Sequence, residues 1–532
     1  MKGSGALLTA FIFVASAPAQ SFFPDDPLWR EPPPLRVGKL KARKISDSYD
    51  MMQQIVLRPG RNPDAASGAI NTLGEVPDSA WYQNRHDLNR PMSVTELVRG
   101  ATAAGPPSTA GPWKIVSAKG IGATPGLIIE DARGDKFLIK FDPASNPSIT
   151  TAAEVISSRF FHAIGYNVPE TYIVRFRASQ LVLAPDAKYF EPEGRERLMT
   201  HVDLVRILKS TSVSRDGRYR AMASRFIGGE IIGPFQYFGT RSDDPNDIVP
   251  HENRRDLRGL YVFCAWLNHY DAVAINTLDT VVEENGLRFV KHYLLDFGST
   301  LGASALGPRV LRSGNAYIFD LPFAARQLLT LGLAPRPWQV TPDPYHPELG
   351  EFGYATFDPR QWKPIYPNPA FRNARPDDTY WAAKKVMAFT DQDIRAIVEV
   401  GEYSDPKARE WLVRTLIARR DKIGATFWED VLPLDNFRFE NGTLEFEDLG
   451  VEFGFSPPRQ YSIQWFSFDN LSGKKTMLPR ARSVSLPREL AHLPPGSYFG
   501  AEIRGPAQHK SVTVYFRTGK SGMEVVGIDR RY

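Results

Sequence analysis

The sequence predicts an α+β chain of several structural units, and three observations carry that expectation. Short β-rich runs crowd residues 113–235, an apolar helical face occupies residues 254–268, and strict alternation returns after Leu432. With 532 residues the chain exceeds one ordinary core, so three or four units are expected. A hydrophobic content of 42% and an aromatic content of 12% exclude wholesale disorder. The 43 prolines and 41 glycines predict long irregular connections between short strands. The net charge of +5 is spread along the chain without a basic run, so nucleic acid is not an expected partner.

In chain order, MKGSGALLTAFIFVASAPAQ places Lys2 before an apolar stretch from Ala6 to Ala15 and ends in A-P-A at Ala19. That is the order of a secretory signal peptide over residues 1–19, with a buried N-terminal helix as the alternative. The expectation is a chain exported to a periplasm or beyond the cell. No later stretch is long and apolar enough for a transmembrane segment. Residues 20–110 form an N-terminal extension: the Pro-rich SFFPDDPLWREPPPLRV suits an extended arm lying on another unit, and a short helix is expected near Met51 to Val56. No chemistry attaches to this extension. The single cysteine, Cys264, excludes an intramolecular disulfide and reads as a small buried hydrophobe.

Residues 111–235 open with WKIVSAKG, GLIIED and KFLIKF, three successive antiparallel strands. A helix follows in PSITTAAEVISSRFFHAIG, capped by Ser148 or Thr150, apolar at Val155, Ile156, Phe160 and Ile164, and stopped by Gly165. NVPETYIVRF, QLVLAP and RAMASRFIGGEIIG add further strands. Residues 236–430 are mainly helical. The core helix there carries Leu257, Leu260, Cys264 and Leu267 on one face. A hairpin with an Asn-Gly turn follows, and then two helical patterns, the second opened by Asp405 and Pro406. Residues 433–532 alternate as a small β-sandwich. T-G-K-S (Thr518 to Ser521) has Val514 where a phosphate loop needs its first Gly, and reads as a hairpin turn.

Two fragments at the ends of the central hairpin carry the chemistry: HYDAVAIN (His269 to Asn276) and LLDFG (Leu294 to Gly298). Asp271 and Asn276 keep the spacing of the catalytic loop H-R-D-L-x-x-x-N, and D-F-G is the magnesium-binding tripeptide of the same signature. Upstream, in matching order, come Gly120, Gly122 and Gly126 between two strands, Lys140 at the end of the third strand, and Glu154 in the next helix. Taken singly, a β-turn, a surface lysine and a solvated helix charge explain those residues equally well. No H-E-x-x-H or G-x-S-x-G is present, which removes the usual zinc-protease and esterase signatures.

On these motifs residues 113 to about 300 resemble the protein-kinase-like superfamily, with the atypical cast of HipA-like and secretory-pathway kinases and as an exported bacterial member. The resemblance implies a two-lobed protein-kinase-like fold, here with an N-terminal extended arm and a C-terminal β-sandwich domain, and ATP between the lobes. It implies that Gly120, Gly122 and Gly126 cover the triphosphate and that Lys140, paired with Glu154, neutralises phosphate charge. Asp271 becomes the base or orienter, and Asn276 and Asp296 the Mg2+ ligands. The implied activity is transfer of phosphate from Mg·ATP to a protein or glycan acceptor, with AMP transfer and a catalytically silent scaffold as alternatives. Tyr270 replaces the arginine of regulated kinases and no A-P-E triplet follows, so control by loop phosphorylation is not expected.

Overall fold

The structure, a computed structural model, describes residues 20–119, 126–191, 195–304, 307–478, 483–519 and 522–532. The leader-like residues 1–19, together with Gly120 and Gly122, lie outside the described residues.

The proline-rich arm cannot form a helix ladder and runs extended. Phe22 packs on Tyr515 with ring centroids 5.1 Å apart, and further along Val37 N donates to Arg288 O (2.8 Å) and Arg43 N to Ile232 O (2.7 Å). The arm thus crosses from the C-terminal sheet to the central hairpin. Helix α1 (Asp47–Met52) follows and continues into one π turn over Gln53–Leu57. Trp81, Tyr82 and Leu97 of the extension are buried in the same core as the helical unit.

Strands β1 (Trp113–Lys119), β2 (Gly126–Glu130) and β3 (Lys136–Phe141) pair antiparallel in sequence order. In β3 the alternation buries Phe137, Ile139 and Phe141 and leaves Leu138 and Lys140 on the opposite face. Helix α2 (Ile149–Ile164) then packs beneath the sheet. Strands β4 (Thr171–Phe176), β5 (Leu181–Phe190), β6 (Glu196–Leu198) and β7 (Tyr219–Arg225) complete a seven-stranded sheet of order β4-β7-β3-β2-β1-β5-β6, in which β5 joins β1 in parallel.

A second, three-stranded sheet holds β8 (Glu230–Gly233) beside the hairpin β9 (Thr277–Glu284) and β10 (Leu287–Leu294). The hairpin turn is Asn285-Gly286, both at positive φ (52° and 77°), as the Asn-Gly pair requires. The core helix α3 (Arg255–Leu267) leads into the HYDAVAIN fragment. After the D-F-G comes a long irregular stretch carrying α4 (Leu321–Leu329), then α5 (Pro376–Met387), α6 (Asp391–Glu399) and α7 (Pro406–Glu429). Helices α3, α5 and α7 pack together around Trp266 and Trp381, and Gly259 permits the close approach, since a Cβ there would lie 2.6 Å from the Trp381 ring. Cys264 is wholly buried in this core.

The C-terminal unit departs from a two-sheet sandwich. Strands β13 (Ser462–Phe468), β14 (Lys475–Met477), β15 (Tyr498–Arg504), β16 (Ser511–Thr518) and β17 (Met523–Arg531) form one antiparallel sheet. A lone hairpin, β11 (Leu434–Glu440) with β12 (Thr443–Asp448), serves as the second layer. Leu434 and Leu444 of the hairpin share a core with Trp465, Phe499 and Phe516 of the sheet. The other face of the sheet is covered by Phe22 of the arm.

Candidate active site

The site is assembled from the inside face of β3, one turn of α2, and the two ends of the β9–β10 hairpin. Lys140 Nζ lies 3.3 Å from Glu154 Oε2 and 2.8 Å from Asp296 Oδ1. Gly126, where the glycine-bearing loop re-enters the sheet, is the register partner of Lys140. The helix that carries Glu154 is fixed by Asp142, two residues beyond Lys140, whose Oδ1 accepts the backbone N–H groups of Thr150 and Thr151, each at 2.9 Å. Asp142 therefore does the work expected of Ser148 or Thr150, and Ser148 sits at φ 72° without a side-chain capping bond. Arg220 of β7 pairs with Asp142 at 3.1 Å and ties the cap to the sheet.

Glu154 also binds the D-F-G directly: its Oε1 accepts the Phe297 N–H at 3.0 Å. Phe297 is wholly buried and stacks on Phe161 of α2 (4.8 Å, 19°). Thr300 closes the contact, its hydroxyl 2.7 Å from that of Ser157 on α2. Glycine is required at 298 because a Cβ would meet Thr150 Cγ2 at 2.9 Å and Glu154 Oε2 at 3.2 Å. Asp296 takes a left-handed backbone (φ 57°), which turns its carboxylate toward Lys140.

Hairpin register joins the two sequence fragments. Thr277 pairs with Leu294, and the next residues outward meet where Leu295 N donates to Asn276 O at 2.9 Å. Asn276 and Asp296 are thus neighbours at the open end of the hairpin, although 20 residues separate them in sequence. Asn276 Nδ2 donates to the backbone oxygen (2.9 Å) and to Oδ2 (3.1 Å) of Asp271, which orients that carboxyl. With its nitrogen so committed, the amide presents its oxygen away from Asp271. His269 is buried against Phe161 and Phe297. Tyr270 is buried, and burial raises its hydroxyl above the usual tyrosine range.

The electrostatics follow from three carboxylates gathered near one ammonium. Burial opposes the charge on Lys140, but Asp296 and Glu154 outweigh it and hold the ammonium above the usual lysine range. Burial and the neighbouring Asp296 raise Glu154 despite its contact with Lys140. Burial, and then the charge of Asp296, push Asp271 up to about 7, with the Asn276 hydrogen bond working the other way. Burial lowers His269 to about 4, so this imidazole is neutral at physiological pH.

This donor set fits a hard divalent cation. Asp296 and the Asn276 amide could supply oxygen ligands, and the carboxylates of Asp296 and Glu154 outnumber the Lys140 ammonium. Among the described residues no three His, Cys, Asp or Glu side chains converge as a metal site of their own. Mg2+ takes one or two protein ligands and completes its shell with phosphate and water. The structure brings together every described residue singled out in the sequence: Gly126, Lys140, Glu154, Asp271, Asn276 and Asp296. It adds Asp142 and Arg220, whose only sequence signal is an acidic residue placed between a strand end and a helix start.

No family model matches the chain, and no curated protein matches it. Among solved structures the chain is similar to the Helicobacter pylori proinflammatory kinase CtkA, at 10% identity and a TM-score of 0.29, over 57% of this chain and 94% of that one. It is also similar to the Golgi casein kinase, at 10% identity and a TM-score of 0.30, over 60% and 74% of the two chains. The form of that kinase with Mn and ADP bound gives 11%, 0.30, and 62% and 75%. Likeness at this level carries no argument about function, so the site is judged on its own geometry.

Proposed function

We propose that this chain is an exported, kinase-like phosphotransferase that uses ATP and Mg2+ and modifies a protein or glycan acceptor. The observation that carries the reading is the joint placement of the Lys140–Glu154–Asp296 ion triad and the Asp271–Asn276 pair at one end of the hairpin. Phosphoryl transfer asks little covalent chemistry of a protein and much positioning of charge, and these residues are of the types that it demands. Lys140, held by Glu154, binds phosphate oxygens. Held by Asn276 and Asp296, Mg2+ would supply charge neutralisation at the phosphates. Asp271 accepts the acceptor hydroxyl proton, and Asn276 keeps its Oδ2 turned to the task. A carboxyl raised to about 7 exchanges protons near neutrality, where a general base works best. Export is proposed on the leader-like opening of the sequence.

Incubating residues 20–532 with Mg·ATP and panels of proteins and glycans tests the activity, with product mass separating added phosphate from added AMP. Phosphate incorporation that is lost in both Asp271→Asn and Asp296→Asn is expected. Incorporation surviving in Asp296→Asn, or none above background with any acceptor including water, would count against the reading.

A further inference from the structure

A second cluster of cationic groups lies behind the catalytic loop, away from the ion triad. A cavity of about 240 Å3 is lined by Arg309, Arg326, Arg336 and Arg419, with Asp343 and Asp358 as the acidic groups in its wall. Four guanidinium groups against two carboxylates leave a positive balance. Arg419 is 4% exposed, and its fork is spent on backbone oxygens, those of Gly353 (2.9 Å) and Ala265 (2.6 Å). Arg309 stands 3.6 Å from Asp343, and its other donors also go to backbone oxygens. Three donors in the wall, Arg419 Nε, Arg336 Nε and Asn268 Nδ2, have no hydrogen-bond partner among the described residues, and Asn268 is itself only 4% exposed. Buried donors without acceptors are costly unless something supplies the acceptor. Burial and the nearby Arg309 depress Arg419, with Asp343 working the other way.

The rim of this cavity carries the second observation. Arg326 belongs to α4, whose Leu321, Ala324, Ala325, Leu328 and Leu329 recur at helical spacing and are all exposed. Leu331 and Leu333 extend the apolar strip at 82% and 86% exposure. Over residues 309–341 the chain carries four arginines against one acid, Asp320, which is already paired with Lys363. An apolar helix face rimmed by arginines and set beside a cationic cavity matches an anionic bilayer surface. The volume suits a phosphate group rather than a drug-sized ligand.

We propose that this cavity is an anion site that receives the phosphate of an anionic phospholipid headgroup while the leucines of α4 enter the lipid. The site is independent of the phosphotransferase reading, although it would hold the active site near a membrane surface. Co-sedimentation of residues 20–532 with vesicles of phosphatidylcholine, with and without phosphatidylglycerol, is the test, accompanied by calorimetric titration with inorganic phosphate. Binding is expected only to vesicles containing phosphatidylglycerol. Arg326→Gln with Arg336→Gln should weaken it by about thirtyfold, the factor for two arginines at an anionic surface. Leu328→Ser with Leu329→Ser should also weaken it. These four changed side chains outside the triad are at least partly exposed, and a matching melting temperature establishes that the variants fold. Equal binding to both vesicle types, or undiminished binding by the arginine variant, overturns the proposal. Arginine-dependent heat with inorganic phosphate but no vesicle binding overturns the lipid assignment in favour of a soluble phosphate. Self-association lost in the leucine variant without vesicle binding overturns it in favour of contact between copies of the chain.

Discussion

Lys140 is held between two carboxylates, Asp296 at 2.8 Å and Glu154 at 3.3 Å, and its partners differ in exposure: the Glu154 side chain is 3% exposed and that of Asp296 45%. Removing the ammonium therefore strands Glu154 more than Asp296. Lys140→Met should destabilise the protein by about 3 kcal/mol in denaturant unfolding, the cost of leaving one member of a buried pair uncompensated. Glu154→Gln should cost less, since an amide oxygen can still accept the Phe297 N–H. Asp271 gives a prediction with a definite sign. Its ordinary value is 3.8 and its folded value about 7, so the folded protein binds more protons across that interval and loses stability as pH rises through it. Asp271→Asn removes this penalty and should gain about 2.5 kcal/mol more over the parent at pH 8 than at pH 5. Equal gains at both values would show that the carboxyl is not held protonated. The grouping of Lys140, Glu154, Asp296, Asp271 and Asn276 was legible in sequence because these residues keep the order and spacing of the kinase signature motifs. Asp142 and Arg220 were not, because a separation of 78 positions in sequence hides the ion pair that fixes α2.

At the scale of elements, two features convert distant sequence into one site: the start of α2 and the register of the β9–β10 hairpin. The hairpin was readable because Asn285-Gly286 admits few turn geometries, and the turn then sets which residues face each other. The helix start was misjudged. Ser148 and Thr150 are the residue types that cap, but Asp142 reaches both free N–H groups first from the end of β3. Asp142→Ala should cost about 2 kcal/mol through the lost cap and the stranded Arg220, measurable by thermal unfolding. Because α2 carries Glu154, the same change should also weaken nucleotide binding, whereas a helix-cap change in α7, Asp405→Ala, should not. The second layer of the C-terminal unit was also unreadable: alternation shows that a strand has one buried face, not which sheet it joins.

For the whole molecule, the extension that suggested no chemistry is structurally committed. Phe22 covers the outer face of the C-terminal sheet, Val37 and Leu40 cover the hairpin beside Val281 and Val290, and Tyr82 donates to Ile164 O at the end of α2. Phe22→Ala should cost about 3 kcal/mol by cavity formation and should speed hydrogen exchange in β16 and β17 before any other strands. Such an arm was legible as extended from its prolines, but its partners were not, since Val281, Val290 and Tyr515 lie more than 200 residues away from Val37, Leu40 and Phe22. The central claim remains that HYDAVAIN and LLDFG form one nucleotide site. Calorimetric titration of Mg·ATP into residues 20–532, beside Asp296→Ala, tests it most directly. Binding that requires Mg2+ and disappears in the variant is the predicted result; absence of binding by the folded parent, or equal binding by both proteins, would contradict it.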